Sequence, residues 1–296
     1  MSGPQVRAFF HQPTYTVSYL VWDPASKRAA IIDSVLDFDQ KSGRTGSGSA
    51  QLILDAVRET GVHVDWLLET HAHADHLSAA PFLKQHLNAP IVIGERIKDV
   101  QRVFKDVFNL SYVTADGRPF DKLVAEGEKL PLGQLSIEII HTPGHTPACV
   151  SYRIGDAIFV GDTLFMPDYG TARADFPGGD ARTLYRSIQK LLQLPDATRV
   201  FLCHDYKAPG RDRFAWETTI GAERANVHLK DHPSEDAFVM MREARGRAEA
   251  RQPARRRQGR GDVRAPARGA RPHLADAAAD PAVDPGEHSG RRIAAG

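Results

Sequence analysis

The sequence predicts an α+β protein in which two mixed β-sheets pack face to face with helices outside. Three observations lead there. Strand-sized apolar runs dominate the first and middle parts of the chain. Helical patterns occur singly among them rather than alternating strictly with strands, which fits two packed sheets better than one doubly wound parallel sheet. Several apolar runs end directly in a histidine or aspartate, a placement that belongs to the rim of a sheet.

In order, residues 15–22 and 28–33 are β-rich runs joined by Asp23-Pro24-Ala25-Ser26-Lys27, a hairpin signal. Residues 36–49 are polar and glycine-rich and predict a mobile loop. Ser49 is placed to cap a helix with Leu52, Ile53, Ala56 and Val57 on one face, closed by Gly61. Strand 64–69 follows. A helix is expected from Ser78, with Pro81 in its first turn, Phe82, Leu83 and Leu87 at helical spacing, and Asn88-Ala89-Pro90 as its end. Ile91-Val92-Ile93 reads as a short strand and Glu95 to Phe108 as a helix. Strands are expected at 123–125, 135–140, 150–154 and 157–160. A helix from Asp180 carries Leu184, Ile188, Leu191 and Leu192 on one face, and Arg199 to Cys203 is a last strand.

A chain of 296 residues can bury a sizeable core in one large domain or two smaller ones. Its 42% hydrophobic and 25% charged residues are those of a soluble globular protein. No apolar run approaches the ~20 residues of a membrane span, and Met1-Ser2-Gly3-Pro4-Gln5 has no signal-peptide core, so a cytoplasmic location without membrane contact is expected. Two cysteines, Cys149 and Cys203, make no disulfide framework, and each borders an apolar run as a packing residue would. Homo-oligomerisation is left open.

The net charge of +1 conceals an asymmetry. From Arg242 onward there are 13 arginines against 7 acids, leaving 25 bases against 30 acids before it. Residues 1–241 therefore read as the folded domain. Residues 242–296 lack aromatic residues and almost all Leu and Ile, and such a segment is expected to be disordered. Its arginines attract polyanions only nonspecifically, so no specific nucleic-acid partner is expected.

The chemistry centres on Thr70-His71-Ala72-His73-Ala74-Asp75-His76-Leu77, where three histidines and an aspartate fall within six residues. Imidazole and carboxylate suit Zn, Fe or Mn, and one short turn can aim several of them at a point. Any one of these histidines alone would read as a solvated polar residue; the quartet reads as a metal site. His145, Asp162 and His204 each follow a separate apolar strand and would join it at the rim.

Together, His-x-His-x-Asp-His at 71–76, Thr142-Pro143-Gly144-His145-Thr146, Gly161-Asp162-Thr163-Leu164-Phe165 and His204-Asp205-Tyr206 resemble the metallo-β-lactamase superfamily, over roughly residues 10–235. The resemblance implies an αβ/βα sandwich with metal at the open edge between the sheets. Of two branches, the stretch from Gly161 to Asp180 and the small Ala74 resemble the persulfide dioxygenases, including the bacterial β-lactamase-like hydrolases, more than glyoxalase II. The helical substrate domain of glyoxalase II has no counterpart after residue 240.

That branch implies one Fe(II) on His71, His145 and Asp162, with O2 and glutathione persulfide as substrates and sulfite and glutathione as products. His73, Asp75, His76 and His204 would orient the ligands or hold a second metal. Two alternatives follow: a glyoxalase II-like hydrolase with two Zn acting on a glutathione thioester, and an inactive metal-binding protein damaged by its C-terminus. Arg173 is either near the site or paired with Asp175, and Tyr206 matches a tyrosine that contacts glutathione in relatives. Where the family often has Asn-x-Arg, this chain has Asn226-Val227-His228, with Arg224 as a substitute for the missing guanidinium. Family members carry apolar segments where this chain has its tail, so the tail also reads as the product of a frameshift near residue 242.

Overall fold

The computed structural model describes residues 3–230 and 234–251. In chain order the elements are β1 (Gln5–His11), β2 (Thr16–Trp22), β3 (Arg28–Ile32), β4 (Val35–Asp39), β5 (Arg44–Gly46), α1 (Gly48–Thr60), β6 (His63–Leu68), β7 (Leu77–Ser78), α2 (Ala80–Leu87), β8 (Ile91–Gly94) and α3 (Ile97–Phe108). They continue with β9 (Lys122–Val124), β10 (Lys129–Leu132), β11 (Leu135–His141), β12 (Val150–Ile154), β13 (Ala157–Phe159), α4 (Ala181–Leu191), β14 (Arg199–Phe201), β15 (Glu217–Thr219), α5 (Ile220–Glu223) and α6 (Glu235–Arg251).

Two six-stranded sheets, ordered β1-β2-β3-β6-β8-β9 and β10-β11-β12-β13-β14-β15, pack face to face. Both are mixed: β3, β6, β8 and β9 run parallel to one another in the first, β13 and β14 to each other in the second, and the remaining pairs are antiparallel. The alternation of side chains along a strand divides each run between two cores. Val17, Tyr19 and Val21 of β2 enter the inter-sheet core with Ile139, Tyr152, Phe159 and Phe201, while Leu20 packs outward with Ile53 and Leu83 beneath α1 and α2. On the other sheet Ile158 and Val200 face Leu184 and Ile188 of α4 and Phe238 of α6. Strands covered on both faces read as unbroken apolar runs, and these were the ones visible in the sequence.

Helix ends follow local chemistry. Asp180 caps α4 by accepting from the Thr183 amide at 2.7 Å, and Gly61 ends α1 in the left-handed region at φ 64°. Ser49 is not the cap of α1. It lies in the first turn, where its amide and hydroxyl donate to Asp37 at 3.0 and 2.5 Å. Ser78 lies in β7, and α2 begins two residues later.

The structure differs from the sequence reading in three further places. Residues 36–49 are not a mobile loop: β4 and β5 form a hairpin there, and with β7 a small third sheet. Strands β1, β10 and β15 were not anticipated; β1, β10 and β15 are all sheet edges, where one side of the strand is unpaired and the apolar pattern is weak. Helix α6 runs across the boundary placed at 241/242, because Phe238 packs against Tyr185 and Arg182 and Arg186 of α4 pair with Glu235. Beyond residue 251 the tail, with the disorder and frameshift expected of it, lies outside the described residues.

Candidate metal centre

Four strand ends converge on one rim. β6 leads into His71, β11 into the turn carrying His145, β13 into Asp162 and β14 into His204. Backbone bonds continue the pairing past the strands: Val150 donates to Thr70 at 2.9 Å, Thr142 to Cys149 at 3.0 Å, Val160 to Phe201 at 3.1 Å and Val17 to Cys203 at 2.7 Å. Two glycines make room. Gly161 sits at φ 52° with the Thr70 hydroxyl 2.6 Å from where a Cβ would be, and Gly144 at φ 138° lies against the backbone of Leu184.

His71, His145 and Asp162, all buried, bring their donor atoms within 4.8 Å of one another. Asp162 faces both ways: Oδ2 is 3.6 Å from His145 Nε2, and Oδ1 is 3.4 Å from His204 Nε2. Asp75 Oδ2 stands 3.7 Å from the same His204 nitrogen. The rings of His71 and His73 are 4.2 Å apart, and those of His73 and His76 4.3 Å. His73, Asp75 and His76 form a second group of donors, and Asp162, Cys203 and His204 a third.

The hydrogen bonds assign one nitrogen of each ring to the protein and leave the other for the centre. His71 Nδ1 donates to Thr70 Oγ1 at 3.0 Å, and that hydroxyl in turn donates to Asp33 at 2.9 Å. His145 Nδ1 donates to the Arg173 carbonyl at 2.9 Å. His76 Nδ1 donates to Asp75 at 3.1 Å, and His204 Nδ1 to the Tyr15 carbonyl at 3.3 Å. His73 is reversed: Nε2 donates to Asp33 at 3.0 Å and Glu69 at 3.1 Å, which frees Nδ1. Four buried atoms then have no protein partner: His73 Nδ1, His76 Nε2, His204 Nε2 and Asp162 Oδ1. An unpaired buried polar atom costs about 1–3 kcal/mol, and these four are the lone pairs a cation would take. The donor set fits a metal.

Electrostatics separate the rings: His71 and His76 favour the neutral form, whereas the acids around His73 and His204 draw a proton, or a cation in its place, toward them. Burial, with the neighbouring imidazoles of His73 and His145, holds His71 well below the ordinary imidazole range, so the ring is neutral, the form a metal would require. Burial and His73 lower His76 to about 4. Burial opposes charge on His73 and on His204, but Asp33 outweighs it for the first and Asp162 for the second, and both sit well above their ordinary value. Asp75 is held well below the carboxylate range by His204 and His76 despite its burial.

A cavity of about 310 Å³ opens onto His71, Asp75, His145 and Asp162. Phe165, Tyr169 and Tyr206 form an aromatic wall, with ring centroids 5.4–5.8 Å apart. Arg173 fulfils both readings: it lines the cavity, and its guanidinium grips Asp175 at 2.7 and 2.8 Å while lying 4.8 Å over Phe176. His228 also lines the cavity, its Nδ1 accepting from the Thr171 amide at 2.9 Å, and Arg242 and Arg245 of α6 form part of the same wall. Arg224 does not reach it. At the C-terminal end of α5 its guanidinium donates to Asp196 at 2.8 Å, away from the lining residues. Cys149 is buried and pushed up to about 12, as an inert packing thiol is.

Asp33, Glu69 and Thr16 escaped the sequence reading. Asp33 and Glu69 follow strands β3 and β6 just as the candidate donors follow theirs, so the rule that found Asp162 would have found both.

A two-sheet sandwich with histidines and acids gathered at one rim defines a metal-binding αβ/βα protein. The Metallo-beta-lactamase superfamily matches residues 11–204, and the chain belongs to it. A probable metallo-hydrolase of Burkholderia pseudomallei is 53% identical over 252 residues, covering 81% of this chain and 85% of that protein. A beta-lactamase hydrolase-like protein of Agrobacterium fabrum is 49% identical over 82% of this chain, which spans only 56% of that relative's length. Human mitochondrial persulfide dioxygenase ETHE1 is 30% identical over 204 residues, 68% of each chain. The crystal structure of ETHE1 from Myxococcus xanthus superposes with a TM-score of 0.65 at 28% identity, covering 87% of this chain and all of that one. Among the described residues, no helix is long and apolar enough to cross a membrane.

Proposed function

We propose that the chain is an iron-dependent dioxygenase that oxidises the terminal sulfur of glutathione persulfide with O2, one water then completing the cleavage to sulfite and glutathione with release of protons. One observation carries the reading: two imidazoles and one carboxylate (His71, His145, Asp162) share a point on the rim, with a cavity on the open side. Two histidines and one carboxylate suit non-heme Fe(II) because they leave coordination positions for both reactants. Iron held there would bring O2 and the persulfide sulfur together and relay electrons between them.

The chain's own residues do the rest. Thr70 and the Arg173 carbonyl fix the tautomers of His71 and His145, so both offer Nε2. Phe165, Tyr169 and Tyr206 offer the thiol carrier an apolar face, and Ala74, small and in the lining, leaves space for the reacting sulfur. Arg173 and Tyr206 stand where they can orient an anionic thiol. Likeness to ETHE1 supports this branch.

A second reading has its own observation. Asp75, His76 and His204, together with Asp162, form a second donor set, and a dinuclear zinc site cleaving a glutathione thioester would use it. Metal analysis with parallel assays separates the two. Iron with O2 uptake on glutathione persulfide supports the dioxygenase; two zincs with thioester cleavage replaces it. Bound metal with neither activity refutes both and leaves the inactive protein.

A further inference from the structure

Helix α6 brings two guanidinium groups to the cavity that opens onto the metal centre. Arg242 and Arg245 line it together with Thr171 and His228. Arg242 is buried, and its Nη1 donates to the Thr171 carbonyl at 3.3 Å. Arg245 stands three residues further along the same helix face and is exposed. Its own Nη1 meets Nε2 of the His228 ring.

The imidazole of His228 is fixed in place. Its Nδ1 accepts from the Thr171 amide at 2.9 Å, and the Thr171 hydroxyl stands 3.0 Å from the same nitrogen. The His228 amide donates to Asn226 Oδ1 at 3.0 Å, and Asn226 Nδ2 donates to the Gly170 carbonyl at 3.0 Å. Gly170 lies at φ 118°, where a Cβ would come within 2.2 Å of the ring Cε1, so the ring can lie there only against glycine.

That placement decides the tautomer. A backbone amide can only donate, so Nδ1 is the acceptor of the neutral ring and Nε2 carries the hydrogen. A guanidinium also only donates. His228 Nε2–H and Arg245 Nη1–H are therefore two donors aimed at one spot, a pair that makes no hydrogen bond between its own members. An oxygen placed between them accepts from both, and a negatively charged oxygen also meets the fixed charge of the guanidinium. With the ring neutral, the pair matches a single negative charge on a planar group.

We propose that His228 and Arg245 form a subsite for a carboxylate of the thiol carrier, within the cavity that holds the reacting sulfur at the metal centre. This rests on the proposed function, which puts a thiol carrier in that cavity, and it adds the group by which the carrier is chosen. The exposed Arg245 side chain swings outward to admit the oxygen, while Thr171 and Asn226 keep the imidazole still. Arg242, tied to the Thr171 carbonyl, adds positive charge behind the pair. Arg224, whose guanidinium is held by Asp196, takes no part. Thiol carriers that lack a carboxylate, or carry an ammonium group in its place, are disfavoured.

The test has two arms. In metal-free protein, nitrogen NMR of His228 should show Nε2–H, and its signal should move as N-acetylglycine, a carboxylate without a thiol, is added. Arg245→Met, at an exposed position, should abolish that movement. An Nδ1–H tautomer, or no response in the wild type, overturns the proposal. In metal-loaded protein, calorimetry compares glutathione with its two monoamides, each lacking one carboxylate. Arg245→Met should weaken glutathione about tenfold, as loss of a charge-assisted hydrogen bond does. One monoamide should bind the wild type equally weakly and lose nothing further in Arg245→Met. Wild-type affinity in Arg245→Met, or losses that add for both monoamides, overturns the subsite. A wild type that binds no glutathione yet answers N-acetylglycine counts against the proposed function alone, because the first arm still decides the subsite.

Discussion

Replacing Glu223 by glutamine should stabilise the protein, and only at neutral and alkaline pH. Glu223 is fully buried; its Oε2 accepts from Asn226 Nδ2 at 2.8 Å and its Oε1 has no partner. Asn226 also donates to the Gly170 carbonyl at 3.0 Å and accepts from the His228 amide at 3.0 Å, so the acid lies beneath the segments that set Thr171 and His228 in the cavity wall. Burial pushes its pKa from 4.5 up to about 8. The folded state therefore keeps a proton that the unfolded chain releases above pH 4.5, and stability falls as pH rises from there to about 8. At about 1.36 kcal/mol per pKa unit, the cost reaches about 3 kcal/mol at pH 7 and under 1 kcal/mol at pH 5. Glutamine keeps an acceptor for Asn226 and never ionises. Calorimetry on both proteins in one metal state should show Glu223→Gln melting about 6–12 °C higher at pH 7, at about 2–4 °C per kcal/mol, and nearly level at pH 5. An equal shift at both pH values, or a loss at both, would refute the reasoning.

Asp33→Asn removes the charge that holds Thr70 and His73, and metal affinity should fall about 10–100-fold with the fold intact; equilibrium dialysis reads it, and wild-type affinity would contradict it. Gly144→Ala puts a Cβ 2.3 Å from the Cα of Leu184 at a strained φ, and a loss of more than about 3 kcal/mol is expected in denaturant unfolding. Phe238→Ala should cost about 3–5 kcal/mol by the same assay if α6 packs on α4 as described, and an unchanged midpoint would detach that helix from the fold. Sequencing the gene beyond codon 242 should reveal apolar strand-coding sequence in a neighbouring frame; its absence removes the frameshift.

The parts of the fold legible in the sequence were those where chemistry is local. Gly61 and Asp180 mark helix ends because one φ or one capping bond decides them. Central strands were visible because both of their faces are buried. Three of the four edge strands of the two large sheets were not, β9 being the exception: β10 contains Pro131, whose missing amide is tolerated where no neighbour needs it. The grouping of candidate donors was legible for a similar reason, since each of them follows a strand and strand ends share a rim. Its supports were harder to see. Thr16 stands inside an apolar run, and nothing in the local pattern tells that its hydroxyl meets Asp75 across 59 residues. Arg224 shows the converse, because spacing near Asn226 says nothing about which way the residue closing a short helix turns its guanidinium.

Anomalous diffraction from crystals of the anaerobically iron-loaded protein tests the central claim most directly. A single strong iron peak should appear within about 2.3 Å of His71 Nε2, His145 Nε2 and a carboxylate oxygen of Asp162, at distances usual for imidazole and carboxylate ligands. No peak there, or one held by other side chains, would contradict the account.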